Sequence, residues 1–434
     1  MSSVKTKAEA ELAGVKAGDP RTMSGRDPKS IPLEAFDLAQ AELFQNDSIW
    51  GYMDRLREEC PVHYCADSRD FDPYWSIMKF SDIMEVEGNH EVFSSAQGIT
   101  LRQNPENFNT ESFIGSDEPK HGQQRRTVQG VVAPSNLANL EPLIRERVAG
   151  ILDDLPIGET FNWVDRVSIE LTTQMLATLF DFPFEERRNL TFWSDVATSQ
   201  PEIDGIVESQ DERIRILRDE CLPAFNKLWD ERANKAPGND LISMLAHGPD
   251  TQNLNRDKPL EFLGNLILLI VGGNDTTRNS LSGGVKFLND NPGEYQKLRD
   301  NLDLIPKMVP EIIRYQTPLS SMARVATQDA IVGGKKIHAG DRVVMWYMSG
   351  NRDPEVIDRP YEFIIDRDRP RHHLSFGFGI HRCMGNRLAE MQLRVAWEEI
   401  MKRFRFVEIV AEPQRTLSSF IHGFTDMEVR VHPW

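Results

Sequence analysis

Cysteine is scarce: Cys60, Cys65, Cys221 and Cys383 are the four in a chain of 434 residues. Their spacing matches neither a zinc knuckle nor the paired pattern of a secreted disulfide framework, so a reducing compartment is expected. Basic side chains are outnumbered, 50 Lys and Arg against 67 Asp and Glu, for a formal charge of -17. A field of that sign repels phosphate backbones and anionic lipid heads, so neither nucleic acid nor a membrane surface is an expected partner. No apolar run approaches the roughly 20 residues of a bilayer span. Residues 1–30 are polar, rich in Lys, Gly and Ser, and lack a signal-peptide core. A cytoplasmic protein is expected, with residues 1–30 a disordered segment contributing little to the core. Internal repeats and low-complexity linkers are also missing, so residues 31–434 are expected to form a single domain.

What is present is mainly helical patterning. Apolar positions recur at helical spacing from about Leu137 to Phe180, and further helices are expected around 208–233 and 239–246. Leu260–Leu288 is the longest candidate, and its run LILLIV (266–271) is apolar on every face, as in a helix threaded through the interior. PVHYC (61–65) and PYWSIMKF (73–80) read as a short hairpin, with Ser81 offered as the cap of the next helix. Strand-like pieces reappear in 326–348, where Gly333-Gly334 supplies a tight turn. The fold class expected is mainly α with a minor β-sheet region.

Three segments stand out, two for chemistry and one for folding. FGFGIHRCMG (376–385) sets Cys383 among Gly377, Gly379 and Gly385, which let backbone approach a large flat ligand and adopt φ values other residues avoid. Loop N–H groups and the positive end of the helix that follows suit a thiolate at Cys383, whereas the other three cysteines read as small apolar packers. In GGNDTT (272–277), Gly272 lies one turn before Thr276 and leaves room beside the helix; the Thr276 hydroxyl can bond back one turn and open the helix locally. In EIIR (311–314), Glu311 and Arg314 share a helix face.

Together these segments resemble the cytochrome P450 haem-thiolate monooxygenases, with Phe376, Gly379, Cys383 and Gly385 at the haem-signature positions. The resemblance spans nearly all of 31–434 and implies the cytochrome P450 fold, with haem b held by the Cys383 thiolate. It places dioxygen in the groove at Gly272, with Asp275 and Thr276 as the acid-alcohol pair that relays protons. It assigns His121, Arg125, Arg324 and His381 to the haem propionates, and Phe376, Gly377 and Gly385 to the haem-binding loop. Glu311 and Arg314 become part of a buried charge network completed by Arg367 or Arg369.

Closer wording in MLATLFDFPF (175–184), LLIVGGNDTTRNSLSGGV (268–285), VVMWYMSGNRDP (343–354) and HLSFGFGIHRCMGNRLAEMQLR (373–394) is similar to the soluble bacterial alkane and fatty-acid terminal hydroxylases. This implies insertion of one oxygen atom of O2 into a terminal C–H bond of a linear alkane or fatty acid. The pocket residues implied are Leu268, Val271 and Gly272, then Leu319, Ser320 and Met322, then Phe420 and Ile421, under a lid from Ile99 to Ile114. Arg102, in that lid, is the cation available to a carboxylate. No flavin or iron-sulfur motif appears in the chain, so a separate ferredoxin and ferredoxin reductase are the expected electron donors. Arg382, Arg387, Arg394, Lys402 and Arg403 form the basic face offered to them. Competing readings are a P450 acting on another hydrophobic substrate such as a terpenoid, a peroxygenase, and a haem-thiolate ligand binder or sensor that does without Asp275 and Thr276.

Overall fold

The computed structural model describes residues 19–103, 105 and 108–434. The helices that build the site are α1 (Phe80–Gly88), α2 (Lys120–Val128), α3 (Pro134–Asp153), α4 (Glu170–Phe180), α5 (Arg188–Thr198), α6 (Pro259–Asp290), α7 (Ile305–Gln316) and α8 (Asn386–Arg403). A five-stranded sheet contains β1 (Val62–Cys65), β2 (Tyr74–Ile77), β3 (Phe93–Ser94), β4 (Met322–Ala326) and β5 (Arg342–Met345) in the spatial order β1-β2-β5-β4-β3. Helix therefore predominates over strand, in accord with the composition of the apolar pattern. No helix among the described residues is long and apolar enough to cross a membrane.

At about 1.5 Å per residue, the 32 residues of α6 extend roughly 48 Å through the molecule. Its apolar run divides between two environments: Leu266 and Ile270 are buried in the helical core, while Ile267, Leu268, Leu269 and Val271 are only half-buried. These half-buried residues face a cavity, which explains an all-round apolar helix in terms of two different neighbours. Along β5, Val343 and Met345 join one apolar cluster and Val344 joins another, the alternation expected of a sheet covered on both faces.

The β1–β2 hairpin forms as expected, with Val62 opposite Ile77. Gly333 and Gly334, at φ +52° and +76°, turn the chain between strands Ala330–Val332 and Lys335–Ile337. Ser81, in contrast, is not a cap: α1 begins at Phe80, whose N–H donates to Asp353 Oδ2 at 3.0 Å. The span 137–180 is not one helix but α3 and α4, separated by strand Phe161–Asn162 and a wider helical turn over Val164–Ile169. That strand joins Glu428–Pro433 and Phe404–Ile409 in a C-terminal sheet absent from the sequence reading.

Of the segment expected to be disordered, residues 1–18 lie outside the described residues. Residues 19–30 depart from that expectation, because Met23 is buried and both its carbonyl and that of Arg26 accept from Tyr52 Oη, at 2.8 and 2.7 Å. The Glu311–Arg314 pair is fully buried, with two contacts of 2.8 Å. Its third member is Arg367, whose Nε donates to Glu311 Oε2 at 3.0 Å; Arg369 makes no such contact. Removing one member of a buried network of this kind costs about 3–5 kcal/mol.

Candidate functional site

The cysteine loop is closed by its own backbone. Cys383 N–H donates to Phe376 O at 2.8 Å and Gly377 N–H to Leu374 O at 2.8 Å, so the loop folds back before entering α8. Gly377 and Gly379 both have left-handed φ, +66° and +65°. A Cβ at Gly379 would lie 2.5 Å from Glu87 O, so only glycine lets the loop rest against the end of α1. Cys383 is exposed, and it lines both the cavity and a groove shared with Arg126 and Arg387. Burial pushes its thiol above the usual range. The N–H groups of Gly385 and Asn386 and the positive charges of Arg125 and Arg382 pull in the opposite direction, toward a thiolate.

The predicted cations fall into two groups. Arg125, Arg324 and His381 line the same cavity as Cys383. His381 is buried, with Nε2 3.0 Å from Ser95 Oγ and no partner for Nδ1. Burial, then Arg324, His121 and Arg125, push its pKa down to about 2, so it is neutral here. Arg125 donates to Arg382 O at 2.7 Å. Arg324 donates to Ala323 O at 2.7 Å and reaches Glu87 Oε1 only at 3.4 Å. His121 belongs elsewhere: its two ring nitrogens lie 2.7 Å from Phe113 O and 3.0 Å from Ile380 O. It pins the cysteine loop and is not among the cavity-lining residues.

Sequence reasoning missed Glu87, whose buried carboxylate accepts from Tyr347 Oη at 2.6 Å and Phe378 N–H at 2.6 Å. It ties α1, the segment after β5 and the cysteine loop together. No local motif marks it, since Phe378 is 291 residues away. Burial raises the Glu87 pKa against the pull of Arg324. Two half-satisfied cations, an unpartnered imidazole nitrogen and an exposed sulfur on one cavity fit a flat dianion such as haem.

On the opposite element, Thr276 Oγ1 donates to Gly272 O at 2.8 Å, the back-bond expected from the sequence, and both residues line the cavity. Among the described residues, no atom beyond the neighbouring turns of its own helix lies within 4 Å of where a Gly272 side chain would start. Asp275 points away. Its carboxylate is buried against Arg278 at 2.5 Å and accepts from Ser194 Oγ at 2.9 Å, while Arg278 also reaches Asp195 at 2.8 Å. Burial pushes Asp275 up to about 6, and Arg278 opposes that rise.

The cavity, of about 680 Å³, includes Leu268, Val271, Gly272, Leu319, Met322 and Phe420 among its walls. Ser320 and Ile421 are not among them. Ser320 Oγ turns to the carbonyl of Ser419, and Ser321 lines the cavity in its place; Ile421 is held in a bridge with Leu319. Residues 99–103 and 109–114 of the expected lid also line it, Arg102 included.

A family model described as Cytochrome P450 matches residues 45–421. Linalool 8-monooxygenase of Pseudomonas putida is 31% identical over 92% of this chain and 100% of its own length. The methyl-branched lipid omega-hydroxylase of Mycobacterium bovis is 29% identical over 94% of this chain and 97% of its own. The solved structure of CYP153D17 from Sphingomonas sp. PAMC 26605 superposes with a TM-score of 0.86 at 45% identity, covering 92% of this chain and 100% of that one.

Proposed function

Because the chain belongs to the cytochrome P450 family of haem-thiolate monooxygenases, we propose that it hydroxylates a linear hydrocarbon chain, alkane or fatty acid, at its terminal carbon. The observation that carries this reading is a single cavity bounded by Cys383, by the Gly272–Thr276 groove and by apolar side chains. Bound haem supplies O2 activation and the insertion of one oxygen atom into a C–H bond, with two electrons and two protons giving alcohol and water.

The chain's own residues supply the rest. Cys383 provides the sulfur ligand, and Arg125, Arg324 and His381 hold the propionate side. Gly272 keeps space beside α6 where a small molecule can lie. Thr276, whose hydroxyl back-bonds to Gly272 O, delivers a proton to that space by turning from that carbonyl. Behind it Asp275, Arg278 and the half-exposed Asp195 form a charged path leading away from the cavity, along which protons are replaced. Leu268, Val271, Leu319, Met322 and Phe420 exclude water and accept a hydrocarbon, each buried CH2 contributing roughly 0.8 kcal/mol. The sequence resemblance to terminal hydroxylases, and a relative named for omega-hydroxylation of a lipid, favour the chain end as the position attacked.

The reduced, CO-bound absorption spectrum should carry the thiolate signature and lose it in Cys383→Ser. Octane or dodecanoate should convert low-spin to high-spin iron, and linalool should do so less well. A better response to linalool than to every linear chain would replace this reading with a terpenoid one. With a ferredoxin and its reductase, Thr276→Ala should consume reductant while forming severalfold less alcohol; intact coupling would remove Thr276 from proton delivery.

A further inference from the structure

Two guanidinium groups converge on the C-terminal end of α5, and no carboxylate forms an ion pair with either among the described residues. Arg102, in the lid and on the cavity wall, donates to Ser199 O at 2.5 Å and Ala197 O at 3.0 Å. Arg213 is 2% exposed; it donates to Ala197 O at 2.8 Å and Val196 O at 3.2 Å, and its third guanidinium nitrogen is buried without a partner. Both arginines therefore bond to the same carbonyl, that of Ala197.

The surrounding negative charge is small. Glu202 and Asp204 act on both guanidiniums through space. Asp204 is already committed to Ser199 Oγ at 2.8 Å, Gln200 N at 2.6 Å and Ile206 N at 3.0 Å, and Glu202 is exposed. Helix-end carbonyls carry partial charge only, about half an elementary charge for the whole terminus. Of these two carboxylates one is engaged and the other exposed, so neither guanidinium has a direct anionic partner at this wall among the described residues. Burial pushes the pKa of Arg102 down to about 10 and, with the charge of Arg102 beside it, that of Arg213 to about 9, while Asp204 and Glu202 pull both the other way.

Among the described residues Arg102 keeps three of its five N–H donors free of protein partners, and it shares the cavity wall with Ala197, Thr198 and Gln200. We propose that Arg102, backed by Arg213, is a carboxylate-binding site on the wall of the catalytic cavity, and that the substrate is a long-chain monocarboxylate rather than a hydrocarbon without a head group. The carboxylate completes the hydrogen bonding of Arg102 and gives it the direct anionic partner it lacks, while the chain lies against the apolar walls. Arg102 is a specificity residue in this account, and Arg213 positions it by holding the Ala197 carbonyl that both share. The inference rests on the linear-chain reading above.

The test is a spin-shift titration of the haem-loaded protein with dodecanoate, methyl dodecanoate and dodecane at low and high salt. Dodecanoate should bind about tenfold more tightly than its methyl ester, as expected for a charge-assisted pair. The preference should shrink in high salt, and the acid-to-ester ratio should fall to about one in Arg102→Gln while recovering in Arg102→Lys. Equal affinity for acid and ester in the unsubstituted protein, or a ratio unchanged in Arg102→Gln, overturns the carboxylate site. A spin shift with ester or dodecane alone would do so while leaving the linear-chain reading standing. Failure of all three ligands would remove that reading too. The unsubstituted protein's acid-to-ester ratio needs no variant, so a folding defect in Arg102→Gln leaves the test intact.

Discussion

At Asp275 the side chain that the family pattern pairs with Thr276 does not face the cavity; it sits in a closed contact with Ser194 and Arg278. Its buried carboxyl is pushed up to about 6 from an ordinary 3.8. The folded state therefore binds its proton more tightly than the unfolded chain does. That contribution to stability is fully present below about pH 3.8 and is lost as pH rises through about 6. Asp275→Asn has no such titration. The wild type should gain about 1 kcal/mol relative to Asp275→Asn between pH 7.5 and pH 5, read as the change in the difference between their denaturation midpoints. A difference that stays constant with pH would mean that Arg278 holds Asp275 ionised throughout. Residues of this kind were partly legible in the sequence. Cys383 and Gly272 announce themselves through glycines that serve a ligand, whereas Glu87 and Arg213 make their contacts through tertiary packing and leave no local mark. Ser320 lies off the cavity for the same reason: its hydroxyl donates to the carbonyls of Ser419 and Phe420, about a hundred residues along the chain, a contact that no local pattern marks.

Elements were legible where their pattern is long. The apolar run of α6 marks an interior helix, but the sequence does not say that one of its sides touches a cavity. Strand Phe161–Asn162 has two residues and a partner near the C-terminus, so neither periodicity nor propensity could disclose it. The seat of the lid on α6 is equally silent, though it depends on one glycine. A Cβ at Gly264 would overlap the carbonyl oxygen of Glu111 and lie 2.9 Å from the carbonyl carbon of Thr110. Next to it, Asn265 accepts from Phe113 N–H at 2.8 Å and donates to Gln124 at 3.0 Å, fastening the same loop. Gly264→Ala must push the loop off the helix and stretch the Asn265 bond. A loss of about 1–3 kcal/mol in stability is expected, together with weaker ligand-induced spin shifts, because residues 109–114 form part of the cavity wall. Wild-type values for both would show that the loop can move without consequence for the cavity.

Over the whole molecule, a charge of -17 coexists with a local basic face, which keeps Arg382 and Arg387 of the one expected but not its other three members. Arg394 is bound to Glu141 and Glu398, each at 2.8 Å. Lys402 is bound to Glu399 at 2.6 Å, and Arg403 to Asp153 at 2.6 Å and Glu399 at 2.7 Å. These three are locally neutralised and present little net field. A groove beside Cys383 is lined instead by Arg125, Arg126, Arg382 and Arg387, of which Arg126, Arg382 and Arg387 are exposed and form no ion pair among the described residues. An acidic electron carrier would be repelled by most of the surface and attracted to this groove, so the same charge distribution both steers it and orients it next to the sulfur. Reversing Arg126 and Arg387 together to Glu should slow first-electron reduction by an acidic ferredoxin about tenfold at low ionic strength. Raising the salt toward 1 M, where the Debye length falls to about 3 Å, should bring the two proteins' rates together. Reversing Arg394 and Lys402 should have a much smaller effect. Stopped-flow reduction under CO measures both pairs. If the Arg394 and Lys402 reversal proved the more damaging, the carrier would have to dock over α8 rather than in the groove beside Cys383.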